Sequence, residues 1–349
     1  MKNIVIGDKT IGDGQPIYIV GEMAWAHDSK VENAKTIIKG CADAKCDAIN
    51  FHVTHLEHYM VPQYSLDERS SSAFELQKKL VMPVEHWPEI FAYAKELNLD
   101  ISALCNDLES VELVKKLDPD ILMFHASCLT EEPLVRAIGK VGKPVFFAVG
   151  GSTITEILQA IGWLNEEGCN EIAILFGIQN YPTKLEDNNA KFLLTLKSMF
   201  ERPIGFSDHH DADDPMALIV PLMSIPLGAN IIEKHITYDR SKKGTDYFSS
   251  LNPDEMKIFV NNVRSMEKVI GSGKVRPFSE AELSYREMVR KKTVAIKDLK
   301  AGHVLTHDDV RFMRSTKGIP PDHFKNYVGL KLKKPVKKYD PITLDLFSD

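Results

Sequence analysis

The chain has 349 residues, 44% of them hydrophobic and 26% charged, and a formal net charge of -6 at neutral pH. Such a composition suits a folded protein with one large and one small domain, while the negative charge argues against nucleic-acid binding and the lack of a long apolar run argues against a membrane span. No signal peptide and no paired cysteines are visible, so Cys41, Cys46, Cys105, Cys128 and Cys169 are expected to be free thiols in a cytoplasmic protein.

Gly7-Asp8, flanked by short apolar runs at 4–6 and 9–11, predicts a hairpin within residues 3–12, placed to plug the bottom of a barrel. Strand-like and amphipathic runs then alternate. Strands are expected at 17–22, 48–52, 101–104, 121–125, 145–149, 172–176, 204–207 and 231–235. Helices are expected at 31–44, 84–97, 108–117, 133–141, 154–165, 189–200, 216–227 and 254–270. Repeated strand–helix units favour parallel pairing with right-handed crossovers. Eight such units in about 250 residues have the size of an α/β (β/α)8 barrel. An open doubly wound sheet is the alternative, but residues 22–27 are not the Gly-rich phosphate loop it would need. The long polar connection 54–83, with Tyr59, Tyr64 and a Ser run at 70–72, reads as a lid or an interface.

The strand ends carry the chemistry. Residues 202–210 run from an apolar strand into Ser207, Asp208 and His209; residues 229–235 end in Glu233, Lys234 and His235. Both ends fall on the C-terminal rim of a parallel sheet, where α/β proteins hold their sites. His209 and His235 are therefore expected to share one divalent metal ion, imidazole being a common ligand for Zn, Mn, Fe and Co. His52 and His125 end two further strands, where each is either an acid/base or metal-binding group or a space-filling ring. Glu22 ends a buried strand and suits substrate hydroxyls. Lys234 is a candidate nucleophile by its place alone. Residues 276–288 change character and read as a linker between a barrel over 1–275 and a small, mostly β module over 289–349, with short strands at 293–296, 304–305, 310–313, 330–335 and 342–343.

These motifs resemble one family. Residues 9–16 leading to Glu22, Tyr181-Pro-Thr183, Gly205 to His209, Glu233-Lys-His235 and Asn252-Pro-Asp-Glu255 resemble the sialic acid synthase (N-acetylneuraminate synthase) family. The tail resembles its C-terminal antifreeze-like (SAF) domain at 293–302, 306–309 and 318–319. The resemblance implies a (β/α)8 barrel, a domain-exchanged homodimer, and the joining of phosphoenolpyruvate to an acylated aminosugar for surface-polysaccharide biosynthesis. It implies Mn or a similar divalent ion, Mg included, on His209 and His235. It places Glu22, Tyr181 and Asp246 in the sugar pocket, Ser207 in the phosphate site, His27 in the pocket, and Arg314 as a contact supplied by the partner subunit.

The chain also departs from the family pattern. Where the family carries Lys-Phe-Gln, residues 50–52 are Asn50-Phe-His52; where it places a second Lys, the chain has Met123; where it places hydroxyls, the chain has Leu104, Ala126 and Ala148. Ordinary phosphoenolpyruvate binding loses its usual support, because a desolvated phosphate needs cationic partners. The alternatives are another enolisable acid as co-substrate, a metal-dependent aldolase, epimerase or isomerase acting on a sugar, or a non-catalytic sugar-binding relative.

Overall fold

Strands that are apolar on both faces need cover on both, and this chain supplies it by closing a sheet on itself inside a ring of helices. The computed structural model describes residues 2–64, 73–180 and 182–347. The chain divides between Ser272 and Gly273 into two compact units.

The first unit opens with an antiparallel hairpin, β1 (Ile4–Ile6) and β2 (Lys9–Ile11), turned at Gly7, whose φ of 57° is a conformation glycine adopts without strain. Eight strands follow: β3 (Tyr18–Glu22), β4 (Ala48–Val53), β5 (Asp100–Cys105), β6 (Ile121–Phe124), β7 (Val145–Ala148), β8 (Ile172–Phe176), β9 (Ile204–Asp208) and β10 (Ile231–His235). All pairings are parallel, and β10 returns to β3 to close the barrel. The predicted strands are therefore present, with ends displaced by at most one residue.

Alternation divides their side chains. Val20, Leu104, Met123, Phe146 and Leu175 point inward and share one apolar cluster with Ile4, Ile6 and Ile11. The hairpin is thus the floor of the barrel, anchored by Lys9 on Asp100 at 2.8 Å. Ile19, Phe51, Phe147 and Ile232 point outward against Ile37, Trp87, Leu164 and Phe259 of the helices. At the rim, a Cβ on Gly177 would lie 1.9 Å from the Ser207 carbonyl oxygen, so the chain after β8 runs directly against β9 and admits no side chain there.

Helix starts follow local chemistry. The Asn252-Pro-Asp-Glu255 motif is a capping box with Pro at the first turn of Pro253–Ile270, and Thr153 with Glu156 does the same for Ile154–Glu166. The continuous helix expected at 216–227 is broken into short turns, Pro215–Leu218 and Val220–Met223, because Pro221 and Pro226 carry no N–H to continue it. In the connection 54–83, Leu56–Tyr59 and Ala73–Gln77 are short helices; the Ser run at 70–72 lies outside the described residues. All five cysteines are buried and free.

In the second unit, the segment read as a linker is largely the helix Glu280–Val289, which runs one residue past it and is started by a capping box of Ser279 and Glu282. Among the described residues, only β11 (Lys291–Ala295) and β12 (Val310–Arg314) form a regular ladder here, which is antiparallel. The strands expected at 304–305 and 330–335 reduce to one isolated bridge, Val304 with Lys331, and among the described residues no bridge is formed at 342–343, in a stretch where Pro335 and Pro341 lack ladder donors. A separate core of Leu299, Leu305, Ile319, Phe324 and Ile342 holds the unit together. Beside it, the buried Asp309 carboxylate accepts from Thr306 N at 2.7 Å and from His303 Nε2 at 2.9 Å, and pairs with Lys297 at 2.8 Å.

Burial alone would raise the Asp309 pKa, but Lys297, His303 and Thr306 outweigh it and hold the carboxyl well below the usual range. Its stabilisation is therefore present above the unfolded value of about 4 and is lost as pH falls through the depressed folded value. Asp309→Asn is expected to lower the melting temperature at pH 7, with the gap from wild type closing under strong acid. Thermal melts from strong acid to neutral pH check this.

Candidate active site

Register builds the site. Across β9 and β10, Glu233 lies beside Ser207 and Lys234 beside Asp208; across β10 and β3, His235 lies beside Glu22. Alternation then turns Glu22, Ser207, Glu233 and His235 into the barrel and Asp208 and Lys234 out toward the helices, on the side of Ile232 and Ile236. His209, just past β9, continues the inward series. The two imidazoles meet at the mouth with ring centroids 4.9 Å apart. Ser249 Oγ donates to the His209 carbonyl at 2.7 Å and braces that strand end.

Glu22 is the hub. Its Oε1 accepts from Ala24 N at 2.5 Å and faces His52 Nε2 at 3.4 Å, while its Oε2 accepts from Asn50 Nδ2. Asn50 Oδ1 and Glu233 Oε2 are buried without a hydrogen-bond partner among the described residues. Asp246 sits in a left-handed conformation with φ 58° on the loop after β10. Beside the ends of β5 and β6, a cavity of 420 Å³ is lined by residues that include Tyr59, Tyr64, Asn106, Ser127 and Glu131.

The electrostatics follow from burial and crowding. Burial draws His209 down to about 4 and His235 well below the imidazole range, so both rings are neutral at pH 7 with lone pairs to offer. Burial also opposes charge on His52, but Glu22, with Asp246 and Glu233 behind it, holds that ring above its ordinary value. Burial and the Glu22 charge push Glu233 up to about 8, against Ser207 and His52. Burial raises Asp246 to about 6; His52 opposes the rise and Glu22 adds to it.

One expected residue faces away from the mouth. Lys234 faces the helix layer, where its ammonium pairs with Asp208 and both side chains are fully buried. This corrects its inclusion among catalytic groups, because a strand cannot present consecutive residues to one face. Arg314 is exposed at the end of β12 in the second unit. Tyr181 lies outside the described residues. His27 is fully buried with its ring edge against Trp87 of the outer layer, and burial, then the His52 charge, lower it to about 4. His125 follows β6, with Ser127 Oγ at 3.2 Å from its Nδ1; burial, then His52 and His209, draw it to about 4. Sequence reasoning missed the inward role of Glu233 and the hold of Asn50 on Glu22. Period-two counting back from His235 would have found the first.

A family profile described as the NeuB family matches residues 37–275, and one described as the SAF domain matches residues 293–348. An uncharacterized protein of Methanocaldococcus jannaschii is 33% identical over 99% of this chain and 98% of its own length. The N,N'-diacetyllegionaminic acid synthase of Legionella pneumophila is 27% identical over 93% of each chain. The crystal structure of N-acetylneuraminic acid synthetase from Leptospira borgpetersenii, at 26% identity, superposes with a TM-score of 0.73 over 82% of this chain and 97% of that one.

The outward ion pair makes a quantitative expectation. Lys234→Met leaves Asp208 charged and buried, and is expected to cost about 3–5 kcal/mol of stability. The double variant Asp208→Leu with Lys234→Met removes both charges and should recover most of the loss. Urea unfolding of the three proteins checks this.

Proposed function

The chain belongs to the NeuB family, a family of sugar-acid synthases with a C-terminal SAF domain, and on that footing we propose that its barrel mouth joins an enolisable acid to the open-chain aldehyde of an acylated aminosugar. The observation that carries the reading is the meeting of His209 and His235 beside Glu22 on three consecutive strands. Two neutral imidazoles fit a divalent ion such as Mn or Zn with its other positions open to water or substrate. Among the described residues no group of three or more His, Cys, Asp or Glu side chains stands ready for a metal, so the two rings would be its protein ligands. When bound, such an ion supplies a Lewis acid for a carbonyl oxygen.

The remaining roles belong to this chain's own groups. Glu22 and Asp246 accept hydrogen bonds from sugar hydroxyls. Glu233, protonated at neutral pH by its raised pKa, holds a proton beside the reacting oxygen. Ser207 supplies a hydroxyl from the same layer. In a domain-exchanged homodimer, Arg314 would reach the acyl group of the sugar bound by the other copy.

The test is metal content and stability. Wild-type protein is expected to bind Mn or Zn and to melt at higher temperature with it, since a ligand specific to the folded state stabilises it. His209→Ala and His235→Ala should each lose the ion while keeping the wild-type circular dichroism spectrum. Undiminished metal in both would remove the reading. Incubation with acylated aminosugars and a candidate acid, read by product mass, tests the condensation.

A further inference from the structure

We propose that the acid joined to the sugar is an unphosphorylated 2-oxo acid, activated by proton removal at C3 by His52, and not a phosphate ester. This rests on the sugar-synthase reading and narrows it.

Charge is the first ground. On the β5 to β8 side of the barrel, with Asp100 and Ser102 of β5 as polar exceptions, the inward residues Leu104, Met123, Phe146, Ala148 and Leu175 are buried and apolar. The opposite side carries the carboxyls of Glu22, Glu233 and Asp246. No inward position of the eight strands is Lys or Arg. Lys234, the ammonium nearest by sequence, is turned outward onto Asp208. Arg240 on the loop after β10 is bound to Glu255 at 2.7 Å and Asp213 at 3.1 Å. A phosphate ester of an acid brings three negative charges or nearly so into this mouth, where they lose water and the inward residues of the eight strands offer no ammonium or guanidinium in return. A 2-oxo acid brings one.

The second ground is the base. A phosphorylated enol already holds its nucleophilic double bond and needs no proton removed. A 2-oxo acid does. His52 Nε2 lies 3.4 Å from Glu22 Oε1, and that carboxylate is fixed by Ala24 N and Asn50. Glu22 thereby favours the tautomer with hydrogen on Nε2 and the lone pair on Nδ1. The His52 side chain is 18% exposed, so the ring is reachable, whereas His27 is sealed. Missing anchors for phosphate and a carboxylate-oriented imidazole are thus two sides of one substrate change.

The step balances without a further reactant. The C3–H bond of the 2-oxo acid breaks, its proton passes to His52 Nδ1, and its electron pair enters the enolate. C3 then bonds to the aldehyde carbon of the aminosugar. The carbonyl electron pair moves to that oxygen, which takes up a proton. No phosphate is released and no water is consumed.

The experiment uses full-length, Mn-loaded protein with pyruvate in deuterated water and no sugar, read by the loss of the methyl signal in NMR. Exchange well above the protein-free rate is expected, falling by about 100-fold or more in His52→Gln. Circular dichroism checks that the variant folds, and the wild-type comparison stands without it. No exchange by wild type, or exchange undiminished in a folded His52→Gln, overturns the proposal. So does phosphoenolpyruvate if it raises the melting temperature and releases inorganic phosphate with an aminosugar; that result leaves the sugar-synthase reading intact. Exchange of pyruvate without condensation with any acylated aminosugar supports the proposal's chemistry and defeats the sugar reading instead.

Discussion

Behind the rim of the barrel, a wholly buried ammonium meets a wholly buried carboxylate. Lys234 of β10 reaches Asp208 of β9, and each is the sequence neighbour of a site histidine. Desolvating both charges is costly, and only their pairing offsets it. A one-residue slip of β10 against β9 would bring Lys234 inside, carry His235 to the helices and leave both charges without partners. The pair therefore opposes any register but the one in which the imidazoles meet. A charge pair that never faces the mouth thus sets the geometry of the mouth.

Inside, a different balance holds. Glu22 collects the Ala24 N–H, the Asn50 amide and the His52 ring, and its charge helps push Glu233 and Asp246 upward. Carboxyls gathered in one dry mouth oppose one another's ionisation, and Glu233, pushed up to about 8, is the one that keeps its proton at neutral pH. The arc from β9 through β10 and β3 to β4 is rich in acceptors, whereas the arc from β5 to β8 is apolar except for Asp100 and Ser102 of β5. A hydroxyl-rich sugar suits the first arc. The second offers space and dryness but no counter-charge.

Much of this was legible in the chain. The barrel strands are runs apolar on both faces, bounded by loops, and a run of that kind has few alternatives. The hairpin was legible from Gly7-Asp8, and the meeting of His209 and His235 from their place at the ends of apolar strands. The helix expected at 216–227 failed because its apolar spacing was weighed above Pro221 and Pro226. The strands expected at 330–335 and 342–343 failed because short apolar pairs can fill a small core through isolated bridges. The helix Glu280–Val289 was missed although Ser279 and Glu282 spell its capping box, because it buries none of its residues and leaves no apolar stripe to read.

Local chemistry by itself determined the order of strands and helices, where most of them begin and end, and which histidines stand at strand ends. Those features depend on periodicity, caps and turns within a few residues. Only the closed sheet decided that Lys234 belongs to the outer layer, that Asn50 and His52 converge on Glu22, and that His27 lies against Trp87. Each of these depends on the register between strands far apart in sequence, and on which face of a strand is inside once the barrel closes.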